Sequence, residues 1–492
     1  MAAKRYHLAQ RRKTVGFTQE GLAERLGVDP KTVRRWESGE TEDGPQPWLR
    51  PKLAHCLQVS VEQLEELLWF RLLGQKDELA VIEPAASQLA PSTANGMPES
   101  LTRFQSNGAQ PESDTSDEPT VDPEHDPVLD APWNHRGTVE VAVLLSGGGS
   151  RVKRRVFLSL AGPALTAPAH QWLVHEPEPL MSGLSGCRIS VRLVDRFTPM
   201  TAELRKMDDV AGGGNVLALA QQQFGWVAGL LDQASYDDVT GRKLHMALAE
   251  LGQMCGWAAY DAGQQGLAQR YNIAGLRAAH TAEDRPLGAY ILGGMAEQVA
   301  RQSRPAEAVT LIETALAGSR RWRTPRLLAQ LYNWQAWVFA TLQDPSACTA
   351  AISRARTQAE RFQPDTDPIW LYWVNSADIV ASSGQCLLQL GRPDRAAATL
   401  DEGIALFDES LVRDRQLHLT YLIDALARPG KQRDLEAAAG LGLQSLDLAE
   451  RLSSTLSVDR IHSLTRQLKP HSNIPAVRDF LERAKRFAER EV

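Results

Sequence analysis

Between residues 4 and 73, apolar positions recur at spacings of three and four between short turns, which predicts a small helical domain. Thr18–Leu26 reads as an amphipathic helix with Thr18 as N-cap and Leu22, Ala23 and Leu26 facing inward. Gly27 ends it, because glycine takes the left-handed turn without strain. Val28 plugs the corner, Asp29 caps a second helix, and Pro30 stands at its first position, where a missing N–H costs nothing. That helix, Lys31–Glu37, stops at Ser38-Gly39. Val33 and Trp36 face its core, while Lys31, Thr32, Arg34 and Arg35 point outward. Two helices joined by a glycine turn, with a basic outer face on the second, predict a reader of the major groove.

The pattern then changes. Residues 84–136 hold eight prolines among Ser, Thr, Asp and Glu, with few large apolar groups. Such a stretch buries too little surface to offset its ordering entropy, so 76–137 is expected to be a disordered linker spanning about 40 Å. The run Val139–Leu145 fits a short strand or a helix turn, and 138–199 is left as a connecting region. A twin-arginine-like stretch, Lys153–Leu158 followed by Ala167-Pro168-Ala169, lies far from the N-terminus and is read as a basic-ended packing helix, not an export signal.

Residues 200–492 read as helix after helix. Short turns recur at 262–265, 302–305, 342–345, 390–393 and 428–430, about 40 residues apart, each followed by a helix rich in small residues. Gly391-Arg392-Pro393-Asp394-Arg395-Ala396 and Gly256-Trp257-Ala258-Ala259-Tyr260-Asp261 carry a resemblance to the tetratricopeptide repeat family over residues 215–460. The resemblance implies an α-solenoid of helix pairs, although the spacing exceeds the 34 residues of that family. The expected fold is all-α: a small five-helix helix-turn-helix domain (1–75), the linker, and the α-solenoid.

Charge sharpens this division. The chain carries 54 Lys and Arg against 60 Asp and Glu, a net of −6. Residues 1–36 hold nine Lys and Arg against three acids, so the basic face is local and the remainder is acidic. Five scattered cysteines form no CxxC, which argues against zinc and redox motifs. Most are expected to be small buried hydrophobes in a reducing cytoplasm. No apolar run is long enough to span a membrane. A Gly147–Ser150 stretch lacks the GK[ST] ending of a phosphate loop. With no ordered nucleophile–base set, no metal spacing and no nucleotide loop, no enzyme, no cofactor and no metal are expected. His245 and His280 are read as structural. Arginine-, alanine- and glycine-rich usage matches a GC-rich, actinobacterial-type coding bias.

Gly16-Phe17-Thr18-Gln19, Leu22-Ala23, Leu26-Gly27-Val28, Val33 and Trp36-Glu37-Ser38-Gly39 resemble the Xre/phage-repressor helix-turn-helix family. Leu57-Gln58-Val59-Ser60 and Leu64 resemble its closing helices, and the insert 41–47 is longer than usual. The resemblance implies that Gln19 anchors a phosphate or reaches a base edge, and that Lys31 and Arg35 point at base edges. It implies that Thr32 and Arg34 hold phosphates, with Arg11 and Arg12 as backbone contacts from the first helix. It also implies double-stranded DNA with two half-sites, read by a homodimer.

In the repeats, aromatic and polar side chains suggest a ligand groove: Trp257, Tyr260, Asn333, Trp334, Trp337, Trp370, Trp373 and Asn375. Arg320, Arg321, Arg323 and Arg326 are read as a solvated basic face. A helix-turn-helix joined to such repeats resembles the peptide-sensing RRNPP regulators, from which the long linker departs. The expectation is a cytoplasmic, nucleoid-associated transcriptional regulator whose repeats sense a peptide or small ligand, dimerise, or both. The alternative is an adaptor whose repeats bind a protein partner.

Overall fold

The computed structural model describes residues 6–15, 17–38, 45–46, 49–57, 59, 64, 126–147, 159–178, 186–363 and 366–489. The chain divides into two units, 1–125 and 126–492. The described residues are helical and contain no strand, only an isolated bridge between Arg188 and Ser235. The expected linker, over 76–125, lies outside the described residues.

The first unit contains α1 (Tyr6–Thr14), α2 (Gln19–Leu26), α3 (Pro30–Ser38) and α4 (Arg50–Leu57). Leu8, Leu22, Ala23, Leu26, Val33, Trp36, Leu53, Leu57 and Leu64 are buried together, with Val28 packed against them. Of the expected fifth helix only the buried, helical Leu64 is described. Most of the 41–47 insert lies outside the described residues.

The second unit begins earlier than composition suggests. α5 (Pro127–Asp130) and α6 (His135–Ser146) precede and include the Val139–Leu145 run, which is therefore helical. Asp126 pairs with Arg270 at 2.8 Å, and Arg277 donates to the carbonyls of Ala131 and Pro132 and lies 4.6 Å from the Trp133 ring centre. These anchors hold residues 126–137 to the helical array, so the linker boundary at 137 is corrected. Proline and acid content masked them, because their partners lie about 145 residues away. α7 (Pro163–Val174) seats the fully buried Trp172 against Gly288 and Gly318, where any Cβ would collide with the indole. The Ala167–Ala169 stretch lies inside α7, and Ala169 is buried. Lys153–Leu158 lies outside the described residues.

α8 (Val191–Val194), α9 (Phe197–Ala211) and α10 (Gly213–Gln233) lead into helix pairs. These pairs are α11 (Asp238–Asp261) with α12 (Gln265–Thr281), α13 (Arg285–Arg301) with α14 (Pro305–Gly318), and α15 (Pro325–Thr341) with α16 (Pro345–Ala359). α17 (Ser376–Gln389) with α18 (Pro393–Ala405) and α19 (Val412–Ala427) with α20 (Leu435–Ala449) follow, then α21 (Thr455–Leu468) and α22 (Pro475–Ala488). First helices stack on first helices, α13 on α15, α15 on α17 and α17 on α19. α9 crosses from the start of the array to α19 near its end.

The turns explain the pairing. At Gly263, Glu283, Ser303, Gln343 and Gly391 the backbone is left-handed, with φ of 76, 59, 61, 58 and 70°. The next amide reaches back five residues in each case, Gln264 to Ala259, Asp284 to Ala279, Arg304 to Val299, Asp344 to Phe339 and Arg392 to Leu387. This closes each helix in a Schellman motif and reverses the chain. Asp284 and Asp344 then cap the following helices. Four turns coincide with those expected at 262–265, 302–305, 342–345 and 390–393. The turn at Glu283 is additional to these, and no glycine marks it in the sequence.

Candidate DNA-recognition surface and the cavity of the helical array

Thr18 caps α2 through its hydroxyl, which accepts from the Gly21 amide at 2.9 Å. Gly27 closes that helix at φ 75°. Asp29 Oδ1 accepts from the Lys31 amide at 2.7 Å and starts α3. Val33 and Trp36 then turn inward, which leaves Lys31, Arg34 and Arg35 exposed at i, i+3 and i+4, one face of the helix, with Thr32 half-buried beside them. Gln19 stands at the first position of α2, half-buried.

One group missed in the sequence organises this surface. Glu37 is buried and takes a two-pronged ion pair from Arg12, Nε to Oε1 at 2.6 Å and Nη2 to Oε2 at 3.1 Å. Gln19 Nε2 donates to the same carboxylate at 2.6 Å, and Arg34 Nε reaches Gln19 Oε1 at 3.4 Å. Arg12 Nη1 also donates to the Phe17 carbonyl at 2.7 Å. The Glu37 carboxylate therefore ties α1, α2 and α3 together and orients Gln19 beside Arg34. Arg12 is 5% exposed, so its expected role as a DNA backbone contact is corrected: its guanidinium is spent inside the domain. Arg11 likewise donates to the Leu57 carbonyl at 2.9 Å. No local sequence signal links residues 12 and 37, which meet only when three helices pack.

In the second unit, Trp257, Asn333, Trp334, Trp337 and Trp373 of the expected groove line one cavity of about 130 Å³. Tyr260 instead lines an adjoining cavity of about 650 Å³. The two share Trp257, Glu297, Arg301, Trp337 and Leu417. Trp370 is 6% exposed and lies outside both linings, packed 4.8 Å from the Tyr290 ring. Asn375 is the N-cap of α17, its Oδ1 accepting from the Asp378 amide at 3.0 Å. Both are corrected from ligand groove to framework.

The sequence reading also missed the charged wall of the first cavity. Arg413 pairs with Asp208, with Asp209 at 3.5 Å and with Asp414 at 2.9 Å. Those three carboxylates outweigh burial and hold Arg413 above the usual guanidinium range. Burial pushes Asp208 up to about 7, opposed by the Arg413 charge. Asp209 and Asp378 are raised from the ordinary carboxyl range by the same cause. Tyr372 donates to Asp209, and Trp257 Nε1 to Asp208 at 2.9 Å. Arg301 bonds Glu297 at 2.7 Å and Tyr421 at 2.6 Å and lies 4.2 Å from the Trp337 ring centre. These residues span some 200 positions, so no window of sequence shows them together.

The expected basic face divides. Arg320 and Arg321 are exposed, whereas Arg326 pairs with Asp367 at 3.0 Å and Arg323 donates to the Leu316 carbonyl at 2.7 Å. His245 is fully buried, 3.2 Å from His135, and burial lowers it to about 3. His280 meets the His175 carbonyl at 3.0 Å. Among the described residues no cluster of three or more His, Cys, Asp or Glu forms a metal site. Cys56, Cys255, Cys348 and Cys386 are buried and Cys187 is exposed. No described helix is long and apolar enough to cross a membrane.

No curated protein matches the chain. A family model described as helix-turn-helix matches residues 8–45, the segment that contains the α2–α3 pair and the Glu37 brace. The first unit thus carries a helix-turn-helix over residues 8–45, which supports a DNA-binding regulator of transcription.

Proposed function

We propose that α3 reads an operator of two half-sites from the major groove, as part of a homodimer, while the helical array senses a ligand and supplies the dimerising surface. The observation that carries the first half is the exposed Lys31, Arg34 and Arg35 face on a helix braced by a buried carboxylate. Lys31 and Arg35 contact base edges, where arginine pairs bidentately with guanine, and Thr18, Gln19, Thr32 and Arg34 hold phosphates. A single small domain binds DNA weakly, so two copies are needed for useful affinity. The repeats are read as tetratricopeptide-like, which the paired helices and recurrent Schellman turns support. The aromatic cavity of about 130 Å³ matches a small ligand better than the extended surface a protein partner would need in the adaptor reading. A DNA partner implies the cytoplasm and the nucleoid.

Lys31→Glu with Arg35→Glu tests the reading. Both side chains are exposed, so the fold should survive, which circular dichroism checks. Binding to DNA from the protein's own promoter region should be lost. Undiminished binding overturns the assignment. Wild-type affinity should fall steeply with salt, because phosphate contacts release counterions.

A further inference from the structure

Buried polar atoms in folded proteins are nearly always hydrogen-bonded, so a cluster of exceptions around one cavity asks for an occupant. Around the 130 Å³ cavity the positive groups are mostly committed. Arg413 is held by three carboxylates, and Arg301 by Glu297, Tyr421 and Gln385. The acceptors are not. Asp208 Oδ1, Asp378 Oδ2, Asp414 Oδ2 and Gln330 Oε1 have no hydrogen-bond partner. Their side chains belong to residues 3, 6, 9 and 2% exposed, and all four residues line the cavity. Only Arg205 Nη2 and Trp337 Nε1 are donors in the same condition on this wall.

Charge points the same way. Asp208, Asp209, Glu297, Asp378 and Asp414 face the cavity against Arg205, Arg301 and Arg413, an excess of carboxyl groups. Burial raises Asp208, Asp209 and Asp378, and the charge of Arg413 beside the first two offsets this only in part, so a further cation among them would be stabilised. The remaining wall is aromatic. Trp334 lies 5.2 Å from Tyr290, with Trp337 and Trp373 alongside, and such ring faces attract cations.

We propose that this cavity binds the ammonium head of a small organic amine, with the adjoining 650 Å³ space taking the rest of the molecule. The ammonium donates to the unpartnered carboxylate and amide oxygens and offsets their charge while the rings pack its carbon body. A cavity of about 150 Å³ admits a benzene ring, so the head is no larger than that. An anion is disfavoured, because it would meet the carboxylates with most of the guanidinium groups already engaged. The proposal names the ligand class of the sensing site proposed above and rests on that reading.

The test uses the full chain and calorimetry. Tryptamine, phenethylamine and agmatine are the ammonium probes, and indole-3-ethanol and indole-3-acetate are the neutral and anionic counterparts of tryptamine. At least one ammonium probe should bind with Kd below about 1 mM, and tryptamine about tenfold or more tighter than its counterparts. Asp378→Asn and Asp414→Asn, each isosteric, should weaken the binding probe about tenfold or more, with unliganded melting checked for each. Tryptophanylglycine tests a peptide N-terminus as the source of the ammonium head, in place of a small free amine, and its N-acetylated form, which has no ammonium, should not bind. Equal or tighter binding of the alcohol or the carboxylate overturns the ligand class and leaves ligand sensing standing. Binding of none of the three amines overturns the proposal. If an amine binds as described while operator affinity stays unchanged, the ligand class holds and the sensing reading falls.

Discussion

Glu37 shows how much of the first unit rests on one side chain. Its carboxylate and the Arg12 guanidinium are 7 and 6% exposed, so each compensates a charge removed from water. Removing one partner of such a pair leaves the other buried alone, at a cost of about 3–5 kcal/mol. Arg12→Ala should therefore unfold the helix-turn-helix at temperatures where the wild type is intact. Near-ultraviolet dichroism of Trp36, the buried aromatic of that core, reports the loss, and a variant with unchanged melting refutes the brace. Arg12→Lys should not rescue, because one ammonium does not reproduce the two-pronged contact. His245 offers a second test at the same scale. In the unfolded chain it gains a proton near pH 6.5, and in the fold only near about 3. Its contribution is thus present above 6.5 and lost as pH falls below it. His245→Asn should be less stable than the wild type at pH 8, and the gap should narrow by about 1.4 kcal/mol per pH unit below 6.5. Denaturant titrations at pH 8, 6 and 5 measure it, and a constant gap counts against the buried neutral imidazole.

The helices were largely legible because caps, left-handed turns and periodicity are local. Thr18, Gly27, Asp29 and Pro30 each act within four residues, and the structure uses all four as the sequence suggests. Gly263 and Gly391 announce their turns, whereas Glu283, Ser303 and Gln343 adopt the same left-handed backbone with a Cβ attached. The Arg12–Glu37 brace and the carboxylate wall were not legible, because each joins residues from helices whose packing no short window encodes. Asn375 misled for the converse reason: a polar side chain among aromatics fits a groove equally well, and only the Asp378 amide identifies it as a cap. The non-glycine turns carry a prediction. A left-handed residue with a Cβ costs about 1–2 kcal/mol, and glycine returns part of that gain as unfolded-state entropy. Ser303 is exposed at φ 61°, so Ser303→Gly should stabilise the second unit by about 0.5–1 kcal/mol in chemical denaturation. A destabilised variant would show that its side chain, not its backbone, matters there.

Across the second unit, the array is closed on itself. Gly214 N donates to the Ser453 carbonyl at 2.9 Å and Ser453 N to the Ala211 carbonyl at 2.8 Å, joining the start of α10 to the turn before α21. Asp261 completes the seam, accepting from Gly213 N at 2.8 Å and from the Ser454 hydroxyl at 2.6 Å. Gly212 and Gly214 leave no room for a Cβ against Ser453, so these backbones meet only because side chains are absent. Solenoids usually leave their ends open, with stability summed from nearest neighbours. Here a contact between distant helices adds a long-range term, and α9, which carries Asp208 and Asp209, is held by Arg413 from α19. Gly214→Val should break the seam, because the added side chain would collide with the Ser453 hydroxyl and carbonyl, and that backbone cannot yield without losing both hydrogen bonds. The expected result is faster amide exchange at 211–216 and 452–458 and weaker binding of any cavity ligand, while exchange in the interior pair α15–α16 stays slow. Uniform acceleration across the unit would mean that the array unfolds as one body, and protection unchanged at the seam would mean that closure contributes nothing to holding α9 over the cavity.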